Sequence, residues 1–191
     1  MGRIVACFFT TVDGVVESPH EWHFPYFDED MGRAVEQVTN EASAYLMGRT
    51  LYDQWSQYWP GNSTDDFGDF INPIAKYVVS STLTQADWEN TTVIPGDDAA
   101  RRVAELKATT TGTIAMSGCA TTVRWLLAEG LLDELVLLVD PIAVGTGARL
   151  FEDGDRTPLT LLSSEAFDTG VLHLRYAPAP RVAEPAAGPA S

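Results

Sequence analysis

The chain has 191 residues, of which 45% are hydrophobic and 20% charged, a composition typical of a globular protein with one sizeable core. Its 27 acidic and 12 basic side chains give a formal net charge of -15, which would repel a phosphate backbone, so general nucleic-acid binding is not expected. No apolar run is as long as a membrane-spanning helix and the N-terminal run is too short for a signal peptide, so we expect a cytoplasmic protein without a membrane partner.

Short β-branched or aromatic runs alternate with segments of helical period, which is the pattern of a sheet covered by helices. Helices are predicted at 30–44, around 99–106 and within 118–130. One domain is expected over residues 1–176, because the Pro/Ala-rich stretch 177–191 has almost no large apolar side chains and is predicted to be a disordered tail. The predicted strands are 3–10, 44–48, 76–81, 91–95, 112–117, 133–141, 159–164 and 171–178.

Small, hydroxyl-bearing or cationic residues directly follow three of these strands, in the segments 47–50, 80–82 and 117–122. Open α/β sheets bind ligands at the carboxyl ends of their strands, and a helix that begins there adds unpaired N–H groups and partial positive charge. Arg49 suits a phosphomonoester, because its planar guanidinium donates two parallel hydrogen bonds. The pattern favours a groove for a phosphorylated cofactor.

Each of these segments also has a simpler interpretation. The segment 117–122 could be an ordinary strand-to-helix turn in which a threonine caps the helix. Arg49 could form only a surface ion pair, which contributes little stability, and Ser80 and Ser81 could cap the end of a strand.

Four motifs in order connect the chain to a known family. They are "TTVDG" (10–14), "MGRTLY" (47–52), "VVSST" (78–82) and "MSGCATTVRWLLAEGLLDELVLLVDPIAVGTGARLF" (116–151). Over roughly residues 3–176 the chain resembles the dihydrofolate reductase-like superfamily. It is most similar to the bacterial branch related to the C-terminal reductase domain of bifunctional riboflavin-biosynthesis proteins. The resemblance implies a three-layer α/β/α fold with a mixed, mostly parallel eight-stranded sheet, NADPH as cofactor and a homodimer.

The resemblance also implies where NADPH would bind. The nicotinamide would be bordered by the backbone of Val15 and Val16. Many relatives have a Gly-Gly pair where this chain has Gly118-Cys119, and the extra side chain would change the room for the pyrophosphate. The implied phosphate contacts are Gly48, Arg49 and Thr50; the 2′-phosphate adenosine end would meet Ser80, Ser81 and Thr82; the pyrophosphate would meet Ser117, Gly118, Cys119, Ala120, Thr121 and Thr122.

The substrate side is predicted in "EWHFPYFDED" (21–30), which resembles the dihydrofolate reductase segment that carries the substrate carboxylate. Asp28 is the candidate catalytic and substrate-binding acid, Glu29 and Asp30 are rivals, and Trp22 and Phe27 are candidate substrate contacts. A carboxylate beside aromatic walls would hydrogen-bond the edge of a pterin or pyrimidine. The alternative role for Asp28 is helix capping.

Other candidate residues have competing interpretations. Trp55, Tyr58 and Trp59 form either a second substrate wall, a dimer contact or the edge of the core. Cys119 stands at a predicted helix N-terminus, which lowers the pKa of a thiol, so it is a candidate reactive cysteine. Neither the two cysteines nor "HEWH" has metal-ligand spacing, so no metal site is expected, and a Cys7–Cys119 disulfide is the alternative to two free thiols.

The sequence therefore predicts an NADPH-dependent reductase that transfers a hydride to a small heterocyclic substrate such as a pterin, a pyrimidine or a riboflavin precursor. The first alternative is a non-catalytic dinucleotide- or metabolite-binding protein of the same fold. The second is a structural dimer with an empty groove.

Overall fold

One eight-stranded sheet runs through the computed structural model, which describes residues 1–62, 66–152 and 156–180. The strands are β1 (Arg3–Thr11), β2 (Ala42–Gly48), β3 (Lys76–Ser80), β4 (Thr91–Pro95), β5 (Thr113–Met116), β6 (Glu134–Asp140), β7 (Leu159–Ala166) and β8 (Leu172–Pro178). The helices are α1 (Glu29–Asn40), α2 (Arg49–Tyr58), α3 (Asp66–Ile71), α4 (Ala99–Thr109) and α5 (Ala120–Ala128). Short 3-10 turns stand at Pro19–Glu21, Phe24–Tyr26 and Gly96–Asp98.

The strands lie in the spatial order β4-β3-β2-β5-β1-β6-β8-β7. Strands β1 to β6 pair in parallel, whereas β8 is antiparallel to both β6 and β7. The carboxyl ends of the six parallel strands therefore meet along one edge of the sheet, which we call the rim. In the β1–β6 pair the register places Phe9 beside Leu138 and Thr11 beside Asp140.

Apolar side chains fill both sides of this sheet. A large cluster joins the central strands to α2, α4 and α5 through residues such as Tyr52, Val103 and Leu126. A smaller cluster lies under α1, where Met31 and Leu138 have no exposed surface. Burying a side chain of this size completely stabilises the fold by roughly 1.5 to 3 kcal/mol. The predicted mostly parallel, eight-stranded α/β fold is thus confirmed.

Element boundaries differ from the prediction where the apolar pattern is continuous. The helix predicted over 30–44 ends at Asn40, because β2 already begins at Ala42. Strand β8 extends to Pro178, beyond the predicted domain end at 176, and the rest of the predicted tail from residue 181 onward lies outside the described residues. None of the helices in the described residues is long and apolar enough to cross a membrane.

Candidate functional site

Three of the predicted segments come together at the rim. The Gly48 N–H, at the end of β2, donates to the Cys119 Sγ at 3.2 Å. One residue further on, the Arg49 Nη1 donates to the Thr82 Oγ1 at 3.3 Å, and Thr82 follows β3. The ends of β2, β3 and β5 are therefore neighbours, as the sequence pattern predicts for a ligand groove.

Two glycines allow the start of α5 to pack closely against β2 and α2. A Cβ atom on Gly48 would lie 2.5 Å from the Thr122 Oγ1, so the missing side chain makes room for α5 itself. Gly118 has a φ of +65°, a conformation that other residues rarely adopt, and a Cβ there would lie 3.1 Å from Leu51. Substitution of either glycine would push the helix N-terminus away from the strand end.

The N-terminus of α5 has the donors that an anion requires. Its first intrahelical bond runs from the Val123 N–H to the Cys119 carbonyl, and the Cys119 side chain does not cap the helix. By helix geometry the amides of Ala120, Thr121 and Thr122 then have no carbonyl acceptor within the helix. Their positive end is suited to a phosphate group.

Arg49 is a half-exposed cation held in place by two neighbours. Its Nε donates to both carboxylate oxygens of Asp53 at 2.7 Å, one helical turn along α2, in addition to the bond from its Nη1 to Thr82. The Ser80 Oγ accepts from the Thr82 and Leu83 N–H groups, so Ser80 does cap the strand end. Ser81 and Thr82 are exposed, as is Thr50 next to Arg49.

A groove of about 790 Å³ opens beside Arg49, between α2 and the segment 83–89. Its walls include the carboxylates of Asp53, Asp87 and Glu89, which would repel a phosphate. The groove is therefore unfavourable for phosphate groups, although Arg49 is one of its walls.

The segment 12–17 after β1 is fastened to the segment 142–150 after β6. The Asp13 carboxylate accepts the N–H groups of Val144 and Gly145, and Glu17 accepts that of Ala148 at 2.7 Å. Hydrogen bonds from the Thr11 hydroxyl and from those two amides hold the pKa of Asp13 below its usual value. The Asp13 carboxylate is therefore charged at neutral pH. We call these contacts the loop clamp.

Val15 and Val16 are buried inside this clamp. The Val15 N–H donates to the Thr11 Oγ1, its carbonyl accepts the Thr11 N–H, and the Val16 N–H donates to the Ala148 carbonyl. The backbone N–H and carbonyl of Val15 are thus hydrogen-bonded to Thr11, so they are not free for the predicted backbone contact with the nicotinamide. The side chains of both valines are buried next to the end of β1.

The predicted substrate residues lie in different surroundings. Asp28 caps α1, since its Oδ1 accepts the Met31 N–H at 2.9 Å. Trp22 is buried and its indole N–H donates to the Glu17 carbonyl. Phe27 remains 45% exposed. Of the rivals to Asp28, Asp30 pairs with Arg33 on the surface, and Glu29 stands in the same first turn of α1.

Aromatic rings stack beside the end of β1. The His23 ring centroid lies 4.4 Å from Phe9 and 4.4 Å from Phe24, and Phe27 meets it edge-on at 5.6 Å. Burial lowers the pKa of His23, so its imidazole is neutral at physiological pH. The second predicted aromatic set has a structural role, since Trp55 and Trp59 pack on Phe67.

The sequence reasoning missed Asp140, the last residue of β6. Its side chain is 0% exposed and neither carboxylate oxygen has a hydrogen-bond partner among the described residues. Burial raises its pKa to about 7. The signal was present in "VLLVDP", where an acid ends an apolar strand just as Arg49 follows one.

The expectation of a reactive Cys119 is wrong. The thiol is buried against Gly48, and burial raises its pKa to about 11, which outweighs the lowering by its hydrogen bonds to Gly48, Leu51 and Thr122. Both cysteines are free thiols, and burial raises the pKa of Cys7 to about 12.

Comparisons with known proteins place this geometry in a family. Residues 3–173 match the family described as the RibD C-terminal domain. The uncharacterized protein YyaP of Bacillus subtilis (strain 168) is 29% identical over 180 residues, covering 91% of this chain and 94% of YyaP.

Solved structures share the fold at lower identity. A putative riboflavin biosynthesis protein from Shewanella sp. PV-4 superimposes with a TM-score of 0.74 at 19% identity, covering 93% of this chain and 99% of that one. Dihydrofolate reductase from Enterococcus faecalis, complexed with NADP(H) and RAB-propyl, gives a TM-score of 0.61 at 14% identity, covering 93% and 96%.

Proposed function

Because the chain belongs to the RibD C-terminal domain family, with a dihydrofolate reductase-like fold, we propose that it is an NADPH-dependent reductase that transfers a hydride to a small heterocyclic substrate. The observation that carries this proposal is the convergence at the rim of Arg49, the Ser81–Thr82 hydroxyls and the uncapped N-terminus of α5. Each of these groups is a hydrogen-bond donor of the kind that binds phosphate oxygens.

The spatial order of the strands suggests how the dinucleotide would lie. Arg49, Thr50 and the residues after β3 would hold the 2′-phosphate adenosine end, because β3 and β2 are outermost of the site strands. The amides that begin α5 would hold the pyrophosphate. Next along the rim is β1, where the segment of Val15 and Val16 would border the nicotinamide.

The bound cofactor would supply the hydride, and the protein would supply orientation and a dry surface. Gly48 and Gly118 contribute indirectly, because they let α5 approach β2 closely enough for its first amides to face the rim. The loop clamp fixes the segment that carries Val15 and Val16.

Arg49→Ala tests the assignment of the 2′-phosphate. Charge-assisted hydrogen bonds to a phosphate contribute about 1.5 to 3 kcal/mol, so NADPH binding should weaken about 10- to 100-fold. NADH lacks the 2′-phosphate, so its affinity should change by about threefold or less. The measurement is titration of nicotinamide fluorescence with each nucleotide.

Arg101→Ala is the matched control, because Arg101 also pairs with a carboxylate one helical turn away but lies on α4. It should leave both affinities unchanged. Equal losses for NADPH and NADH in Arg49→Ala would contradict the 2′-phosphate assignment.

Turnover is tested with NADPH and a panel of pterins, folates and pyrimidines, by following loss of absorbance in the reduced-nicotinamide band. Oxidation of NADPH that depends on one of these acceptors supports the reductase. Binding of NADPH without turnover on any of them would favour a non-catalytic binding protein of the same fold.

A further inference from the structure

Arg49 occupies a position that helix stability disfavours. It is the first residue of α2, directly after the N-cap Gly48, and the first turn of α2 contains no acidic residue. The N-terminal end of a helix carries partial positive charge, which repels a cation. The chain therefore places a guanidinium at the rim against the local electrostatic preference, and helix stability does not account for it.

The ion pair of Arg49 with Asp53 adds little stability of its own. The two side chains are 39% and 46% exposed, and an exposed pair of this kind contributes little to folding. An arginine that precedes its acid by one helical turn is also the less favourable order of charges on a helix. The pair is therefore better explained by what it does to the pose of Arg49.

The contacts of Arg49 fix the orientation of its guanidinium. Its Nε lies 2.7 Å from each carboxylate oxygen of Asp53, and its Nη1 donates to the Thr82 Oγ1 at 3.3 Å. Thr82 is itself held, because its N–H donates to the Ser80 Oγ at 3.2 Å. The guanidinium is thus attached both to α2 and to the turn that follows β3.

These bonds leave the phosphate-binding edge of Arg49 free. They use two of its five N–H groups, and the other three, on Nη1 and Nη2, have no acceptor among the residues that the structure describes. A guanidinium donates two parallel hydrogen bonds to a phosphate from such an edge. The exposed Thr82 hydroxyl lies beside it and can donate to the same anion.

Asp53 has two opposite effects on an anion at Arg49. Its negative charge weakens the attraction between Arg49 and a phosphate. Its hydrogen bonds hold a long side chain in one pose, so less freedom is lost when the ligand binds, and affinity gains about 3- to 10-fold. Because both side chains are partly exposed, salt and water screen the charge effect, whereas the fixed pose is not screened. We therefore expect the ordering effect to be the larger one.

We infer that Asp53 is a positioning residue that presets Arg49 for the 2′-phosphate and so gives the proposed reductase its preference for NADPH over NADH. This inference rests on the proposed function, because the 2′-phosphate is the group that NADPH has and NADH lacks. Asp53 acts through Arg49 and needs no contact with the cofactor.

Asp53→Asn and Asp53→Ala separate the acceptor from the charge. Both variants lack the carboxylate charge, but only asparagine keeps an oxygen that accepts the Arg49 Nε–H. NADPH should therefore bind Asp53→Ala about 3- to 10-fold more weakly than Asp53→Asn, while the affinities of the two variants for NADH differ by about twofold or less. Asp53→Asn should keep the preference of the wild type for NADPH. Titration of nicotinamide fluorescence measures all of these affinities.

The pose of Arg49 is measured separately, without any nucleotide. NMR of the ¹⁵N-labelled chain should show a protected Arg49 Nε–H signal in the wild type and in Asp53→Asn, and a rapidly exchanging one in Asp53→Ala. In an Arg49→Ala background the two Asp53 substitutions should give equal NADPH affinities. Glu105→Ala is the matched control, because Glu105 pairs with Arg101 one helical turn away on α4, and it should change neither affinity.

The outcomes distinguish this inference from the proposed function. If the wild type does not bind NADPH, or binds it no better than NADH, the assignment of the 2′-phosphate fails and the role of Asp53 in specificity fails with it. If the wild type prefers NADPH, equal or tighter NADPH binding by Asp53→Ala than by Asp53→Asn would overturn the role of Asp53 alone. Equal losses of NADPH and NADH affinity in Asp53→Ala would overturn it as well, because they would show a structural effect on the whole site.

Discussion

Glu134, Lys76 and Asp140 are ionisable residues with at most 1% of their surface exposed, and their surroundings differ. Glu134 is paired with both Arg3 and Arg175. The Lys76 ammonium group donates to the carbonyls of residues 71, 72 and 74 at 2.8 to 3.0 Å. These contacts offset the cost of burying a charge. Asp140 alone of the three has no partner among the described residues, which is why its burial raises the pKa of the carboxyl group.

The raised pKa of Asp140 gives a definite pH dependence of stability. Because the folded-state pKa, about 7, exceeds the usual 3.8, the folded protein keeps a proton that the unfolded chain has lost, and the free energy of unfolding falls as pH rises between these values. From about pH 5 to about pH 8 the wild type should therefore lose about 2 to 3 kcal/mol relative to Asp140→Asn. Urea unfolding of both proteins at the two pH values measures this difference. If the difference in free energy of unfolding between the two proteins does not change with pH, burial does not raise the pKa of Asp140.

Among the elements, the regular strands were predictable and the contacts between loops were not. The strand predicted at 91–95 is β4, because Pro95 and Gly96 mark its end locally. The loop clamp joins Asp13 to Gly145, which are 132 positions apart, and no local pattern indicates which amides a loop carboxylate will bind. The predicted meeting of the segments at 47–50, 80–82 and 117–122 followed from the parallel order of their strands, whereas the roles of their residues in cofactor binding remain predictions.

The loop clamp can be tested with a pair of glycine substitutions. Gly147 has a φ of +121° and a Cβ there would lie 2.7 Å from the Val15 side chain, whereas Gly145 has a φ of +78° and no atom within 4 Å. Both substitutions to alanine strain the backbone, but only Gly147→Ala also forces the two segments apart, which should cost about 1 to 3 kcal/mol more. Hydrogen exchange at the amides of Val12 and Val16, which bond to the 142–150 segment, should accelerate in Gly147→Ala and much less in Gly145→Ala. Equal acceleration in both would show that backbone strain, and not the clash with Val15, opens the loop clamp.

At the scale of the whole molecule, the hairpin of β7 and β8 exposes several large apolar side chains. Leu161 and Leu162 are each 51% exposed, Leu172 is 43% exposed, and β7 is an edge strand of the sheet. Unprotected apolar edges associate with other chains. The homodimer implied by the family resemblance is therefore proposed to form through this hairpin.

Sedimentation equilibrium of the wild type should give a dimer, and Leu162→Glu should shift it to a monomer, because a charge in an apolar contact is strongly unfavourable. Tyr58→Glu, on α2 and 59% exposed, is the control and should leave the dimer intact. Dissociation by Tyr58→Glu with none by Leu162→Glu would place the contact at α2.

The proposed reductase requires a dinucleotide site at the rim, and an NMR titration of the ¹⁵N-labelled chain with NADP⁺ tests this most directly. We predict saturable shifts of the backbone amides of Arg49, Thr82 and residues 118–122, which the strand order brings together. Shifts confined to other surfaces, or none at millimolar NADP⁺, would contradict it.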